Sequence, residues 1–228
     1  MTPSLFEILY EDDFLLAVNK PSGLLVIPTS MVERHTLTVL LSEMLHRRGL
    51  SVNAHPCHRL DRETSGVILY AKGKSMQQKV MSQFHQGMVR KMYIAIVSGT
   101  PFHGEGVIET PIERKPALTR YRVISSFLHY SVVEVWPESG RTNQIRIHFK
   151  GMGHPLLGES KYAFRKDFKV KFKRVALHAR RIELVHPLSG QKLVVEAPVP
   201  ADMQGLINGA SSKAGPLRRP TVKKPPSA

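Results

Sequence analysis

The sequence contains a single cysteine, Cys57, among its 228 residues. An internal disulfide is therefore excluded, and without a cysteine pair there is no zinc-ribbon spacing. Eleven histidines are scattered along the chain, but none forms a His-x-x-x-His pair on a plausible helix, so neither a metal site nor a metal cofactor is expected. Long apolar runs are missing too. No stretch approaches the roughly 18 apolar residues of a helical membrane span. The opening "MTPSLFEILYEDD" has neither the basic start nor the apolar stretch of a secretory leader, which predicts a cytoplasmic protein. Acidic residues are scarce, with 18 Asp and Glu against 33 Lys and Arg and a formal charge of +15. A chain so charged suits a polyanionic partner. Nucleic acid comes first, because each phosphate neutralised by Lys or Arg releases condensed counterions, although an acidic membrane surface would attract the same charge.

What is present is enough for one substantial core, at 42% hydrophobic residues. "FEILYEDDFLLAVNKPSGLLVIP" reads as two short strands joined at Glu11 to Asp13, then a Pro21-Ser22-Gly23 turn into a third apolar run. "HTLTVLLSEMLHRRG" spaces Leu37, Leu40, Leu41, Met44 and Leu45 as in a helix, with Gly49 as its stop. "GVILYAK" is strand-like, and "GKSMQQKVMSQFHQG" predicts a second helix closing at Gly87. "RKMYIAIVSG", "LTRYRVISSF" and "YSVVEVWP" predict three more strands, and "RRIELVHPLSGQKLVVEAPVP" two β-rich runs hinged on "HPLSG". "SGRTNQIRIHFKGMGHP" is open between strand and helix: Ile145, Ile147 and Phe149 alternate, yet Thr142 would serve as an N-cap and Gln144, Arg146 and Lys150 suit a helix. Helices and antiparallel-looking strands without a βαβ rhythm predict an α+β domain, a mixed and mostly antiparallel sheet with flanking helices. It is expected over residues 1–200. From 201 to 228 the composition turns basic and rich in Pro, Ser and Gly, with five basic residues and one acid, which predicts a disordered tail.

Between Lys161 and Arg181 lie nine basic residues and one acid, with Tyr162, Phe164, Phe168 and Phe172 interleaved. Basic groups can track phosphates while aromatic faces stack on unpaired bases. Lys161, Lys169, Lys171, Lys173, Arg180 and Arg181 are accordingly candidates for RNA contact. Phe168, Val170 and Phe172 alternate with the three lysines as a half-buried strand would, so the aromatics are equally candidates for the core.

"HRLDRETSG" sets Asp61 between Arg59 and Arg62 at the mouth of a strand. An exposed ion pair would be worth at most about 1 kcal/mol and would explain nothing else in the chain. Taken with "LAVNKPSGLLV", "KMYIAIVSG", "SGRTNQIRIHFKGMGHPLLGESKY" and "ALHARRIELVHPLSG", it resembles the successive motifs of the RluA family of pseudouridine synthases. The resemblance runs from about residue 7 to 199, in order. It implies the catalytic fold of that family and isomerisation of specific uridines in structured RNA, transfer or ribosomal, with no cofactor and no obligate protein partner. It implies Asp61 as the catalytic carboxylate, Arg59 holding open the RNA from which the base is extruded, and Tyr93 stacking on the flipped uracil. Arg146 would pair with Asp61 across the site, and Leu177 would wall the base pocket.

The implied chemistry fits those residues. Isomerisation breaks the N1–C1′ bond, turns the uracil and joins C5 to C1′; a carboxylate can act as nucleophile or base only when ionised, and a guanidinium beside it favours that form. Extruding the base from its stack calls for an aromatic and a cation. Two positions depart from the family pattern: Asn143 replaces the usual His of "GRTHQ" and Glu159 the usual Asp of "GDxxY". With the motifs starting at about residue 7, no amino-terminal S4-type RNA-binding domain is expected, and RNA grip is expected from the catalytic domain, its basic segment and the tail, in a monomer. Two other functions fit parts of the pattern. A non-catalytic RNA-binding or chaperone module would remain active without Asp61, and a hydrolase using Asp61 with Glu63 would release free uracil.

Overall fold

A computed structural model of the protein describes residues 5–28, 35–164 and 168–209. The chain begins with a hairpin, β1 (Glu7–Glu11) and β2 (Leu15–Lys20), turned by Asp12, whose carboxylate accepts the backbone N–H groups of Phe14 and Leu15. After the Pro21–Gly23 turn the third apolar run forms no strand; it makes one isolated bridge, Leu25 to Thr36. Helix α1 (Leu37–Arg47) is capped by the Thr36 hydroxyl and buries Leu37, Leu41 and Leu45, four residues apart on one face, before Gly49. A short strand β3 (Ala54–Pro56) follows, then β4 (Ser65–Lys72) and α2 (Lys74–His85), which buries Met76, Val80 and Gln83. Next come β5 (Arg90–Ser98), β6 (Glu105–Ile108), β7 (Thr119–Ser126) and β8 (Tyr130–Pro137). Helix α3 (Gln144–Gly151), β9 (Leu177–Val185), β10 (Lys192–Glu196) and α4 (Ala201–Ile207) complete the elements.

The strands form one ten-stranded sheet in the order β1-β2-β4-β9-β5-β8-β7-β6, with β3 on β4 and β10 on β9. Every pairing is antiparallel except β4 with β9, in keeping with the expected mixed, mostly antiparallel α+β architecture. The parallel pairing spans only Ser65–Gly66 against His178–Ala179, after which β3 and β10 take over the free edges of β4 and β9. Gly66 permits it. At φ +114°, a Cβ there would lie 2.2 Å from the Ala179 carbonyl oxygen, so any other residue would push apart the strand that follows Asp61 and the strand that begins at Leu177.

β5 is buried on both faces, which accounts for its unbroken "IAIV". Ala95 and Val97 pack with Val133 and Val135 against Ile145 and Phe149 of α3, while Ile94 and Ile96 pack with Val132 against Met203 and Leu206 of α4. α1 and α2 cover the β2–β4 half.

The structure settles one open reading and corrects one expectation. The ambiguous segment is a helix, α3, and its N-cap is Asn143 in a left-handed conformation rather than Thr142. The domain also does not end at residue 200. Ala201–Ile207 is helical, Met203 and Leu206 are buried, and the Tyr130 hydroxyl donates to the Leu206 carbonyl at 2.8 Å. Composition missed α4 because two apolar side chains suffice to dock one short helix. Residues 210–228 of the expected tail lie outside the described residues. Met203→Ala should cost about 2–5 kcal/mol, the usual loss for emptying a filled core position, seen as a lower urea midpoint at unchanged slope. No helix among the described residues is long and apolar enough to cross a membrane.

Candidate active site

Asp61 stands in the turn that leads into β4, and the neighbouring Pro21–Leu24 turn holds that loop from outside. Gly23 N–H donates to the Arg62 carbonyl at 2.8 Å, Arg62 Nε to the Gly23 carbonyl at 3.1 Å, and the Ser22 hydroxyl to the Glu63 carbonyl at 2.7 Å. Lys20 completes the clasp. Its ammonium is wholly buried and donates to the carbonyls of Pro21, Leu24 and Arg62 at 2.9, 2.8 and 3.1 Å. Burial pushes its pKa down to about 7, while Asp61 pulls the other way. A saturated ammonium can bridge two loops where a neutral side chain would leave carbonyls unpaired.

The two arginines flanking Asp61 do not pair with it. Arg62 is latched to Gly23, and Arg59 is exposed on the rim of a pocket of about 110 Å³ that Asp61, Thr64, Tyr93, Ile145 and Leu177 also line. The ionic contact of Asp61 is Arg146, with Nη1 3.8 Å from Oδ2, a distance that leaves Asp61 able to move against it. Arg146 itself is fixed elsewhere. Its Nε and Nη2 donate to the two oxygens of Glu159 at 2.7 Å each, and Nη1 donates to Asn143 Oδ1 at 3.0 Å. Glu63 lies 3.7 Å from Nη2. Glu159 is fully buried, and its Oε1 also accepts the backbone N–H groups of Ser160, Lys161 and Tyr162. A planar guanidinium gripped on its forked edge cannot rotate, so it presents one fixed corner to Asp61.

Gly158 admits this arrangement. At φ +74°, a Cβ there would meet the Arg174 carbonyl oxygen at 1.7 Å, so only glycine lets the chain turn and place Glu159 beneath α3. Asn143 supports it from the other side. In its left-handed conformation, which Asn tolerates better than most residues, it accepts from Arg146 and donates to the Tyr162 hydroxyl at 2.9 Å. The Tyr162 ring lies 5.5 Å from the Arg146 guanidinium and 5.2 Å from the Lys161 ammonium. Both departures from the family pattern thus hold Arg146 in place.

Electrostatics at the site pull in opposite directions. Burial raises the pKa of Asp61, and Arg146, Arg59, Lys20 and Lys161 draw it back without restoring the ordinary carboxylate value. Burial likewise opposes ionisation of Glu159, yet the hydrogen bonds from Arg146 and the backbone hold its pKa below normal. The result is one carboxylate held firmly as an anion and one whose ionisation burial opposes and the neighbouring cations only partly restore. Burial and the Asp61 charge raise the Tyr93 phenol, which therefore stays protonated.

The structure brings Asp61, Arg59, Tyr93, Arg146 and Leu177 to one pocket. Tyr93 reaches it from β5, where a bulge against β9 leaves Arg180 without a paired residue. The basic segment is placed differently. Lys161 is exposed beside the site, and Lys169, Lys171 and Lys173 are exposed on an irregular stretch that is not the strand its alternation suggested. Phe168 of that stretch is core, Phe172 half-buried and Phe164 73% exposed. Arg180 and Arg181 are engaged within the sheet: Arg180 with Glu196 at 2.7 Å and Arg181 with Glu183 at 2.8 Å. Sequence reasoning assigned no roles to Lys20 or Thr64, and it offered Tyr162 only as an aromatic for stacking on bases or for the core. The "NKPSG" and "GESKY" motifs contained two of them, without a signal of what they touch.

Residues 14–151 match the family model described as RNA pseudouridylate synthase. The ribosomal large subunit pseudouridine synthase D of Nitrosomonas europaea is 36% identical over 88% of this chain and 64% of its own length. This chain thus spans less than two thirds of that relative. The uncharacterized RNA pseudouridine synthase YhcT of Bacillus subtilis is 34% identical over 88% of this chain and 70% of its own. Among solved structures, human RNA pseudouridylate synthase domain containing 4 superposes with a TM-score of 0.71 at 28% identity, covering 86% of this chain and 89% of that one. With the motifs in order and the same fold, the chain belongs to the RNA pseudouridylate synthase family, of RluA type.

Proposed function

We propose that the protein isomerises uridine to pseudouridine within RNA, using Asp61 as the reacting carboxylate. The observation that carries the reading is a pocket of about 110 Å³ with Asp61 and Tyr93 on its walls and Arg146 fixed beside the carboxylate. A cavity of about 150 Å³ takes one benzene ring, so this open pocket suits one extruded pyrimidine and not two stacked bases. Tyr93 would stack on the uracil, Leu177 would close the apolar side, and Arg59 on the rim would hold the strand from which the base has swung. The uracil leaves C1′ with the N1 bonding pair, turns, and bonds to C1′ through C5; the C5 proton is lost and N1 gains one. Nothing is oxidised or reduced, so no cofactor is called for. In its ionised form, which the Arg146 charge favours, Asp61 can serve as nucleophile or base.

Transfer or ribosomal RNA is the expected substrate, bound by a monomer in the cytoplasm. The name of the Nitrosomonas relative refers to the large ribosomal subunit, which makes ribosomal RNA the first to map. Pseudouridine sites would be mapped in total RNA from cells with and without the gene and after adding pure protein. At least one site should vanish in the deletion and return with the protein, and an identical map in all samples would refute the activity.

Exposed Lys161, Lys169, Lys171 and Lys173 extend the grip past the pocket, whereas Arg180 and Arg181, already paired, contribute little. Lys169, Lys171 and Lys173 changed together to Gln should lower the slope of log affinity against log salt by roughly 0.7 for each single-strand phosphate that is no longer neutralised, with turnover of bound RNA unchanged. A titration of RNA binding over a series of salt concentrations checks this, and an unchanged slope would place the three lysines away from RNA.

A further inference from the structure

A second pocket, of about 210 Å³, adjoins the first, and Asp61 and Arg146 line both. Arg59 stands between the two pockets and lines both, while the walls particular to the second differ in character. Arg62 and Lys161 join Arg59 in supplying positive charge, and Leu25 and Ile27 supply an apolar floor. Among the described residues, none of the three cations has a carboxylate within salt-bridge distance. Hydrogen bonds from α1 hold the floor's backbone up to Val26, although it lies outside any strand: the Leu37 N–H donates to the Leu25 carbonyl at 2.8 Å, and the Thr38 N–H and hydroxyl donate to the Val26 carbonyl at 3.2 and 2.6 Å. Ile27 is 39% exposed at its edge, an apolar side chain turned to solvent beside these three cations.

Geometry limits what can lie there. If the uracil occupies the Tyr93 pocket, C1′ must stand at Asp61, and the sugar oxygens that carry the phosphates then point away from the base. The second pocket shares Asp61 with the first and extends from it to Leu25, Ile27, Arg62 and Lys161, none of which lines the first. Cations over an apolar floor are the complement of a phosphate followed by a base face. We propose that the second pocket receives the nucleotide adjoining the extruded uridine, its phosphate among Arg59, Arg62 and Lys161 and its base on Leu25 and Ile27. This subsite rests on the reading of the first pocket as the uracil site. It makes binding sensitive to the presence of a neighbouring base, a dependence that the uracil pocket alone cannot supply.

The test uses fluorescein-labelled pentaribonucleotides, AAUAA and two versions with an abasic residue immediately 5′ or 3′ of the uridine, bound to the full chain and to Ile27→Ala. Ile27 is partly exposed, and a melting curve checks that the variant folds. One of the two abasic pentamers should bind the parent at least about fivefold more weakly than AAUAA, the scale of removing one stacked base. Ile27→Ala should weaken by a similar factor with AAUAA and little more with that abasic pentamer. Equal losses from the abasic residue in parent and variant, no loss at either position, or no measurable binding of AAUAA would overturn the subsite. Pseudouridine formation in total RNA is measured alongside. If the parent isomerises uridine while the pentamers show no coupling, the subsite fails and the activity stands; if no RNA is isomerised, the activity itself fails.

Discussion

Asp61→Asn should abolish pseudouridine formation and at the same time leave the protein as stable as the parent or more so. Loss of turnover follows from the chemistry, since an amide can neither attack nor take a proton, and removing such a group costs at least about 100-fold. The stability gain follows from the direction of the Asp61 shift. Its folded pKa lies above the ordinary value because burial disfavours the anion. The folded state therefore keeps the proton to higher pH than the unfolded chain does, and stability falls as pH rises from the unfolded pKa through the folded one. Above that window the folded state carries an anion it would rather not hold, and Asn removes it. Arg146 is not stranded by the change, because Glu159 and Asn143 still hold it. A thermal melt at neutral pH together with single-turnover assays checks both halves. A melting point well below the parent's would mean that Asp61 is a structural partner of Arg146, and residual turnover above about one hundredth would remove it from the chemistry. In the parent, the acid limb of the rate profile should lie above the ordinary carboxylate pKa, and loss of the Arg146 charge should move it higher still. RNA binding should survive in Asp61→Asn, which also separates an enzyme from a pure binding module.

Glu159→Gln should do the reverse, damaging the fold first and the rate through it. The exchange preserves shape but turns an amide N–H₂ or a single neutral oxygen toward a guanidinium that is itself buried. Breaking one partner of a buried pair costs about 3–5 kcal/mol, and for a chain of this size each kcal/mol lowers the melting temperature by roughly 2–4 °C. The folded pKa of Glu159 is depressed, so its contribution is present above the unfolded pKa and lost as pH falls through the folded one. The gap in melting temperature between parent and variant should therefore be widest at neutral pH and narrow in acid. A gap that stays constant down to the acid limit would show that packing rather than the ion pair holds this corner. Turnover should fall as well, because Arg146 would no longer be fixed where it meets Asp61, whereas Glu159→Asp should recover part of it.

Local signals determined much of this protein. Leu37, Leu41 and Leu45 at helical spacing, the glycines that close α1 and α2, and the Val- and Ile-rich runs of β5, β8, β9 and β10 each specify an element within a few residues of themselves, because periodicity and turn chemistry act over that range. The ordered motifs located Asp61, Arg59, Tyr93, Arg146 and Leu177, which the structure gathers around one pocket. Tertiary structure decided the rest. α3 reads as strand or helix because its buried side chains include Gln144, Arg146 and His148 while Ile147 is half exposed, an inversion that works only because those polar groups find Leu118, Thr119, Thr110 and Glu159 as partners. β3 and β6 are too short to carry a pattern, and α4 is helical because β5 and β8 offer Met203 and Leu206 a surface. Arg62 beside Asp61 serves Gly23, while Asp61 meets Arg146, which is held by a glutamate 13 residues further along the chain. Sequence names the charges, but their pairing depends on distances of a few ångströms between segments far apart in the chain, and only the packed sheet sets those.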